Sequence, residues 1–178
     1  MTPRQFTFAI AIAIALAATG CHVSNPYQPT DPTQATRAAA ELTSLPSLED
    51  TKSSMIAVIE DVGQQISVAV PAVRFTWRLD EGRVGCTPPY EQSQGQEILL
   101  AKYASDVPIP EQNWKQAYDL MSKAAAGLGA TTVTVFQNAP EFHDVQFSSD
   151  TGTVLRLASQ KAALITGSTG CRLPADKH

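Results

Sequence analysis

The N-terminal segment constrains this chain most strongly, because it separates a short apolar leader from the part that folds. Arg4 precedes an apolar run over residues 6–18, which ends in small residues just before Cys21. A positive start, a short apolar run and small residues before a cleavage point are typical of a secretory signal peptide. A membrane-spanning helix needs roughly 20 apolar residues, more than this run provides. The sequence therefore predicts an exported protein whose fold begins after residue 20.

Cys21 directly follows the small residues, a position typical of the lipid-bearing cysteine of bacterial lipoprotein signals. In that class the cysteine becomes the first mature residue and carries S-diacylglyceryl and N-acyl groups such as palmitate. Each buried methylene contributes about 0.8 kcal/mol, so more than one acyl chain gives stable attachment. We predict lipidation of Cys21 and anchoring at the extracytoplasmic face of the cell membrane. The alternatives are ordinary secretion after cleavage near Ala15 or Ala17 and an uncleaved anchor, and we favour both less than lipidation.

The two remaining cysteines, Cys86 and Cys171, form an even pair in a chain predicted to be exported. Such pairs are expected to form a disulfide in an oxidising compartment. The alternatives are a free catalytic thiol and a metal pair. Neither cysteine has a histidine nearby in sequence, and a two-cysteine zinc site would lack its other ligands. We therefore predict a structural disulfide and no metal site.

The charge balance excludes some classes of partner. The chain has 13 Lys and Arg residues against 17 Asp and Glu, a formal net charge of −4 at pH 7. Loss of Arg4 with the signal peptide makes the mature chain slightly more acidic. This balance argues against a nucleic-acid partner and against electrostatic binding to anionic lipid.

The chain divides into three predicted segments. Residues 1–20 are the signal peptide, residues 21–33 hold the lipidated cysteine and a Pro-rich spacer, and residues 34–178 form a single globular domain. Pro-rich spacers favour extended polyproline geometry and act as semi-rigid tethers. We expect the spacer to hold the domain away from the lipid headgroups.

Helix signals occur at three places in the folded part. Asp31 and Ser47 stand where helix N-caps are expected, and Pro110 precedes a third stripe of apolar residues. The second and third helices carry apolar residues at helical spacing. These residues are Met55, Ile59, Val62 and Ile66, then Trp114, Ala117, Tyr118, Met121 and Ala125.

The intervening and final segments alternate with period two, which indicates strands with one buried face. We expect strands over residues 73–79, 83–86, 97–104, 131–137, 144–149, 153–158 and 161–169, with a turn at 80–82. This order predicts an α+β fold: an antiparallel sheet with two long helices packed on one face.

Candidate catalytic groups are few. His143 and Asp144 adjoin at a predicted strand start, and we interpret them as a solvated edge pair rather than a catalytic dyad. Ser168 lies in a turn of small residues that fits the backbone beside Cys171. The sequence has no nucleophile elbow, phosphate-binding loop or H-E-x-x-H motif. We predict no catalytic, cofactor-binding or metal-binding residues.

Two sets of side chains suggest surfaces. Four arginines could share one sheet face, either as a cationic patch for an anionic envelope molecule or as solvated side chains paired with nearby acids: Arg74, Arg78, Arg83 and Arg156. We favour the second interpretation because the net charge is negative. Four aromatic residues could line a pocket, although such spacing usually indicates core: Trp77, Trp114, Tyr118 and Phe136.

The chain also resembles the mycobacterial lipoproteins of the LppA/LppV type along nearly its whole mature length. The resemblance is carried by the Pro-rich spacer and by Thr19-Gly20-Cys21, Arg83-Val84-Gly85-Cys86, Asn113-Trp114 and Gly167-Ser168-Thr169-Gly170-Cys171. It implies an exported, lipid-anchored envelope protein and no known reaction. Only Cys21 carries over as a functional position.

Three functions fit these observations. The first is a non-catalytic module at the membrane surface that binds an envelope lipid, a glycan or a protein partner. The second is an envelope hydrolase that acts on ester or glycan substrates through Ser168 or His143. The third is a structural envelope component without a small-molecule ligand. An apolar cavity between helices and sheet would favour lipid, and a solid core with an exposed apolar patch would favour protein.

Overall fold

A computed structural model describes residues 28–178 of the chain. The predicted signal peptide, Cys21 and most of the spacer lie outside the described residues. Three helices, eight strands and a short 3-10 turn follow in chain order: α1 (Pro32–Leu42), α2 (Leu48–Ala69), β1 (Thr76–Arg78), β2 (Gly82–Gly85), β3 (Gln96–Leu99), β4 (Lys102–Ser105), α3 (Glu111–Gly127), β5 (Thr132–Ala139), β6 (Phe142–Ser148), β7 (Val154–Ser159), β8 (Ala163–Ser168) and the turn Ala175–Lys177.

The helices begin where their caps predict. The Asp31 carboxylate accepts hydrogen bonds from the backbone N–H groups of Thr33 and Gln34 at the start of α1. The Ser47 hydroxyl accepts one from Asp50 N–H at the start of α2. These bonds satisfy N–H groups that have no partner within the helix. None of the helices in residues 28–178 is long and apolar enough to cross a membrane.

The sheet is antiparallel throughout the described residues, and its strand order is β1-β4-β8-β7-β6-β5. β2 pairs with β3, which in turn meets the end of β8. The predicted α+β class is confirmed.

Two details of the sheet differ from the prediction. The strand expected over residues 97–104 is divided into β3 and β4, and residues 80–82 do not reverse the chain. β1 and β2 instead pair in succession with β4 and β3, and the register shifts by one residue between Arg78↔Lys102 and Gly82↔Leu99. Leu79, at φ 63°, lies in this irregular stretch. A bulge of this kind bends a strand without ending it. The sequence resembles a turn here because polar residues and glycine occur in both bulges and turns.

The core lies between the two long helices and one face of the sheet. Side chains of β6, β7 and β8 alternate between buried and half-buried positions, as strands with one covered face do. The largest fully buried side chains of this core are Leu48, Met55, Ile59, Ile98, Met121, Phe147, Leu155, Leu157 and Ile165.

A smaller apolar cluster surrounds a disulfide. Cys86 and Cys171 are joined, with 5.5 Å between their Cα atoms. Leu42 of α1 and Leu173 pack with Cys171 in this cluster. The crosslink therefore connects the loop after β2 to the C-terminal segment, and α1 packs over it.

Candidate functional site

A groove of about 350 Å³ opens between α3 and the last strand of the sheet, β5. We call it the α3–β5 groove. Its lining residues are Trp114, Lys115, Tyr118, Asp119, Val135, Gln137, Asn138 and Val145. Trp114 and Tyr118 are one helical turn apart, which places both rings on the same side of α3. The Lys115 ammonium lies 2.6 Å from the Asp119 carboxylate, so the charges on this exposed helix face form a neutral pair.

Two ring contacts hold the aromatic side chains of the groove. The Trp114 indole stacks on the His143 ring with 4.3 Å between centroids and 8° between planes. The Tyr118 ring lies 5.7 Å from that of Phe147 in the core. Such packing fixes both groove aromatics against the sheet, and one face of the Trp114 indole is covered by His143.

His143 is buried, with 5% of its surface exposed. Its Nε2 donates to the Glu111 carboxylate at 3.0 Å, and Nδ1 lies 3.1 Å from the Asn138 amide oxygen. The Glu141 backbone N–H and the His143 ring both hold the pKa of Glu111 below its usual value. The interpretation of His143 and Asp144 as a solvated edge pair is wrong, because β6 lies between β5 and β7.

Asp144 faces the opposite side of the sheet from His143, as successive strand residues do. There the Arg156 Nε donates to Asp144 Oδ1 at 2.6 Å. The Arg156 guanidinium also lies 4.6 Å from the centroid of the Phe136 ring. His143 and Asp144 therefore make separate contacts on opposite faces of the sheet and do not form one site.

Arg78 and Arg83 also contact carboxylates. Arg78 lies 2.7 Å from Asp106, and Arg83 lies 3.1 Å from Glu49 of α2. These contacts, with the pair at Arg156, agree with the interpretation of arginines paired with acids for three of the four residues. Arg74 is exposed and forms no ion pair among the described residues.

β5 forms one edge of the sheet, and all eight of its residues are exposed. Its large apolar side chains are open to solvent, with Val133 42%, Val135 58% and Phe136 47% exposed. Among the described strands it pairs only with β6, and a bulge between Val135 and Gln137 interrupts that pairing. No residue of β5 carries a charge. Edge strands of soluble proteins are usually protected by charges, proline, short length or a bulge, and the bulge is the one of these protections that β5 has.

The predicted aromatic set is divided by the structure. Trp114 and Tyr118 line the groove, whereas Phe136 lies over Arg156 on the other face of the sheet. Trp77 packs on Tyr103 with 4.7 Å between ring centroids, and its indole N–H donates to Glu60 at 2.8 Å. Only two of the four aromatic residues thus share a surface pocket.

Ser168 and His143 do not approach each other. Ser168 lies at the end of β8, where its hydroxyl donates to the Glu97 carboxylate. His143 is aligned through Ser159 with Ala163, at the other end of β8. The two candidate catalytic residues therefore do not form a nucleophile and base pair. Within residues 28–178 no cluster of three or more His, Cys, Asp or Glu side chains has the arrangement of a metal site.

The sequence matches the LppA family, described as a lipoprotein confined to pathogenic Mycobacterium, over residues 23–175. The chain belongs to the LppA lipoprotein family. None of the curated proteins compared with it matches.

Two solved structures are similar to this member of the LppA family. The lipoprotein LppA from Mycobacterium tuberculosis superposes with a TM-score of 0.64 at 18% identity, over 79% of this chain and 86% of that one. This likeness shows the fold. A DUF4853 family protein from Actinomyces odontolyticus gives a TM-score of 0.39 at 14% identity, over 68% of each chain.

Proposed function

We propose that this LppA-family chain is anchored by lipid on Cys21 at the extracytoplasmic face of the membrane. Family membership over residues 23–175 supports an envelope lipoprotein. The apolar run at residues 6–18 and the small residues before Cys21 support acylation at that position. The Pro-rich spacer then holds the domain away from the membrane surface.

We propose further that the domain is a non-catalytic binding module whose partner is an extended segment of another envelope protein. The observation that carries this proposal is the uncharged, solvent-exposed edge strand β5 beside the α3–β5 groove. An unpaired strand edge offers backbone N–H and C=O groups to an added strand. Main-chain hydrogen bonds then give affinity, and pockets for alternate side chains give specificity.

The groove favours a protein segment with apolar side chains. Val135 and the aromatic residues Trp114 and Tyr118 line it, and they offer an apolar surface to every second side chain of an added strand. The neutral Lys115–Asp119 pair adds no net charge at the groove, which favours a neutral segment.

Photo-crosslinking in cells tests this binding surface. A photoreactive amino acid at position 135 of the full chain is expected to give a discrete adduct with a protein. Position 68 on α2 is the matched control, because Val68 is also an exposed valine, with 72% exposure against 58% for Val135. Equal labelling at both positions, or none at position 135, would overturn the proposal.

Hydrogen exchange identifies the mode of binding once an adduct partner is known. Strand addition is expected to protect backbone amides of Thr132–Ala139, whereas docking to the helix alone leaves their exchange unchanged. A Val135→Asp substitution should remove this protection, and Val68→Asp should not. Unchanged exchange in β5 with the partner bound would contradict strand addition.

The anchor is tested separately by Cys21→Ala, which removes the acceptor sulfur. We expect the variant to leave the membrane fraction and to lose the mass of the acyl groups in intact-protein mass spectrometry. Partition equal to that of the unsubstituted chain would contradict anchoring through Cys21.

The hydrolase alternative is tested by His143→Ala and Ser168→Ala on ester and glycan panels. Any turnover that falls in either variant would contradict a non-catalytic module.

A further inference from the structure

Arg172 is a buried arginine near the C-terminus, with 3% of its surface exposed. Its Nη1 donates to the backbone oxygens of Thr151 and Cys171, both at 2.7 Å. Its Nη2 donates to the hydroxyls of Thr151 at 3.1 Å and Thr153 at 2.8 Å. All four acceptors are neutral, so these bonds satisfy N–H groups without balancing the positive charge.

No carboxylate among the described residues forms an ion pair with Arg172, in contrast to Arg78, Arg83 and Arg156. Burial lowers the pKa of Arg172, which reflects the cost of holding its charge away from water. Among the described residues, Tyr90 is the neighbour whose ionised form would favour the charged Arg172. Burial raises the pKa of Tyr90, so this phenol remains neutral at neutral pH and leaves the charge uncompensated. A buried charge without a counter-charge is costly in a protein interior.

Arg172 lines a pocket of about 270 Å³ between the α1–α2 corner, the end of α3 and the β6–β7 turn. The pocket is lined by Leu45, Pro46, Thr51, Ser54, Met55, Gly127, Leu128, Thr151, Thr153 and Arg172, none of which is acidic. Within residues 28–178, three buried polar side-chain atoms lack a hydrogen-bond partner, and two of them belong to this lining. They are Arg172 Nε and Thr51 Oγ1.

We propose that this pocket binds a small oxyanion, a carboxylate, phosphate or sulfate group, attached to a short apolar body. Arg172 Nε–H and the Thr51 hydroxyl are closed off from solvent in this structure. A small shift of the lining side chains would let both donate to the oxyanion and gain the partners that they lack. A bond between the guanidinium and an anionic oxygen is stronger than the bonds to neutral acceptors that Arg172 already makes. The half-buried Leu45 and Leu128 contact the apolar body.

The size of the pocket limits the ligand. Its 270 Å³ falls just below the roughly 300–1,000 Å³ of pockets that hold drug-sized molecules. The pocket therefore fits a short amphiphilic anion and not the two acyl chains of a membrane lipid. The oxyanion has two sources, a free small molecule or the headgroup of a lipid that inserts from the bilayer. The site lies at the opposite end of α3 from the α3–β5 groove and is independent of the function proposed above.

Thermal unfolding of the full chain in uncharged detergent micelles tests the site, with inorganic phosphate, hexanoate and hexyl phosphate as probes. At a concentration of about 100 times Kd, a ligand of the folded state should raise Tm by roughly 5–10 °C for a chain of this size. Above Kd the shift must increase with the logarithm of the probe concentration, and chloride at equal ionic strength must not produce it. We expect hexyl phosphate to bind at least tenfold more tightly than inorganic phosphate, because its chain contacts the apolar lining.

Matched variants localise the effect. Thr51→Val keeps the side-chain shape and removes the hydroxyl, and it should weaken hexyl phosphate binding about tenfold. Arg172→Lys keeps the charge and loses the planar fork, so binding should be lost if the variant folds. Arg156→Met removes an arginine that is paired with Asp144 outside the pocket, and it should leave Kd unchanged.

The result that would overturn the proposal is an equal Tm shift in the unsubstituted chain and in Thr51→Val, or no shift with any probe beyond that given by chloride. Vesicles distinguish the two sources of the oxyanion. Saturable binding of soluble hexyl phosphate that vesicles of phosphatidylglycerol do not compete for indicates a free small anion. Competition by those vesicles indicates a lipid headgroup. Loss of crosslinking at position 135 would leave these outcomes unchanged.

Discussion

Removal of the disulfide is the perturbation whose cost follows most directly from the structure. Cys86 and Cys171 are 85 positions apart in sequence, so their bond closes a long loop of the unfolded chain. The chain-entropy relation gives about 4.5 kcal/mol of stabilisation for a loop of this length. A change of 1 kcal/mol shifts Tm by about 2–4 °C in a protein of this size, so reduction should lower Tm by roughly 9–18 °C.

Packing adds a second contribution that can be measured separately. Cys171 is 7% exposed, and a Cβ built on Gly95 would meet its Sγ at 2.5 Å, which shows how closely the disulfide packs on that backbone. Reduction breaks the bond but leaves both sulfur atoms in the protein. The double variant Cys86→Ala with Cys171→Ala removes them and leaves space near Leu42. We expect the double variant to lose about 1 kcal/mol more than the reduced chain.

The assay is urea unfolding of the full chain in uncharged micelles, followed by tryptophan fluorescence, for the oxidised, reduced and doubly substituted forms. The free energy of unfolding in water should fall in that order. The denaturant slope should rise when the crosslink is lost, because the unfolded chain then exposes more surface. A reduced chain within 1 kcal/mol of the oxidised chain would refute the loop-closure argument.

Two further predictions concern single contacts. The Thr30 backbone N–H, 2.7 Å from the Glu91 carboxylate, lowers the pKa of Glu91 to about 2, so its stabilising effect is present above pH 4.5 and is lost as the pH falls toward 2. An NMR titration should place the Glu91 pKa near 2 and move it toward 4.5 in Thr30→Pro; equal values in both chains would contradict this cause. Gly167→Ala should destabilise by about 1–3 kcal/mol, because its Cβ would meet a backbone carbonyl oxygen at 2.9 Å. Gly85→Ala is the control, with nothing within 4 Å of the added Cβ, and calorimetry should give it a Tm near that of the parent chain.

Local sequence signals predicted most of the elements. Asp31 and Ser47 cap their helices as expected, because a cap depends on residues within one turn. Alternation predicted the strands of the final third, where the pleat places every second side chain against the helices. The bulge between β1 and β2 was predicted as a turn, because polar residues and glycine occur in both.

The candidate sites were less predictable. The alternation of Val133 and Val135 with threonines is the same for an edge strand as for a central one, so the sequence did not show that β5 ends the sheet. His143 was predicted to be solvated at a strand edge, but it is buried. Its burial depends on β5 and β7, which lie on either side of β6. Trp114 and Tyr118 were singled out as pocket candidates, although the core interpretation was favoured. Arg172 gave no signal at all, because its burial depends on the β6–β7 turn brought beside it.

The sequence by itself determined the even pair of cysteines, the capped helices and most of the alternating strands, because the caps and the alternation depend on side chains near one another along the chain. The signal peptide and the lipid on Cys21 remain predictions from that sequence. Tertiary structure alone decided which strand forms the sheet edge, which histidine is buried and which arginine is buried without a counter-charge. Those properties depend on neighbours brought together by strand pairing and helix packing, and the local pattern of residues does not record these neighbours.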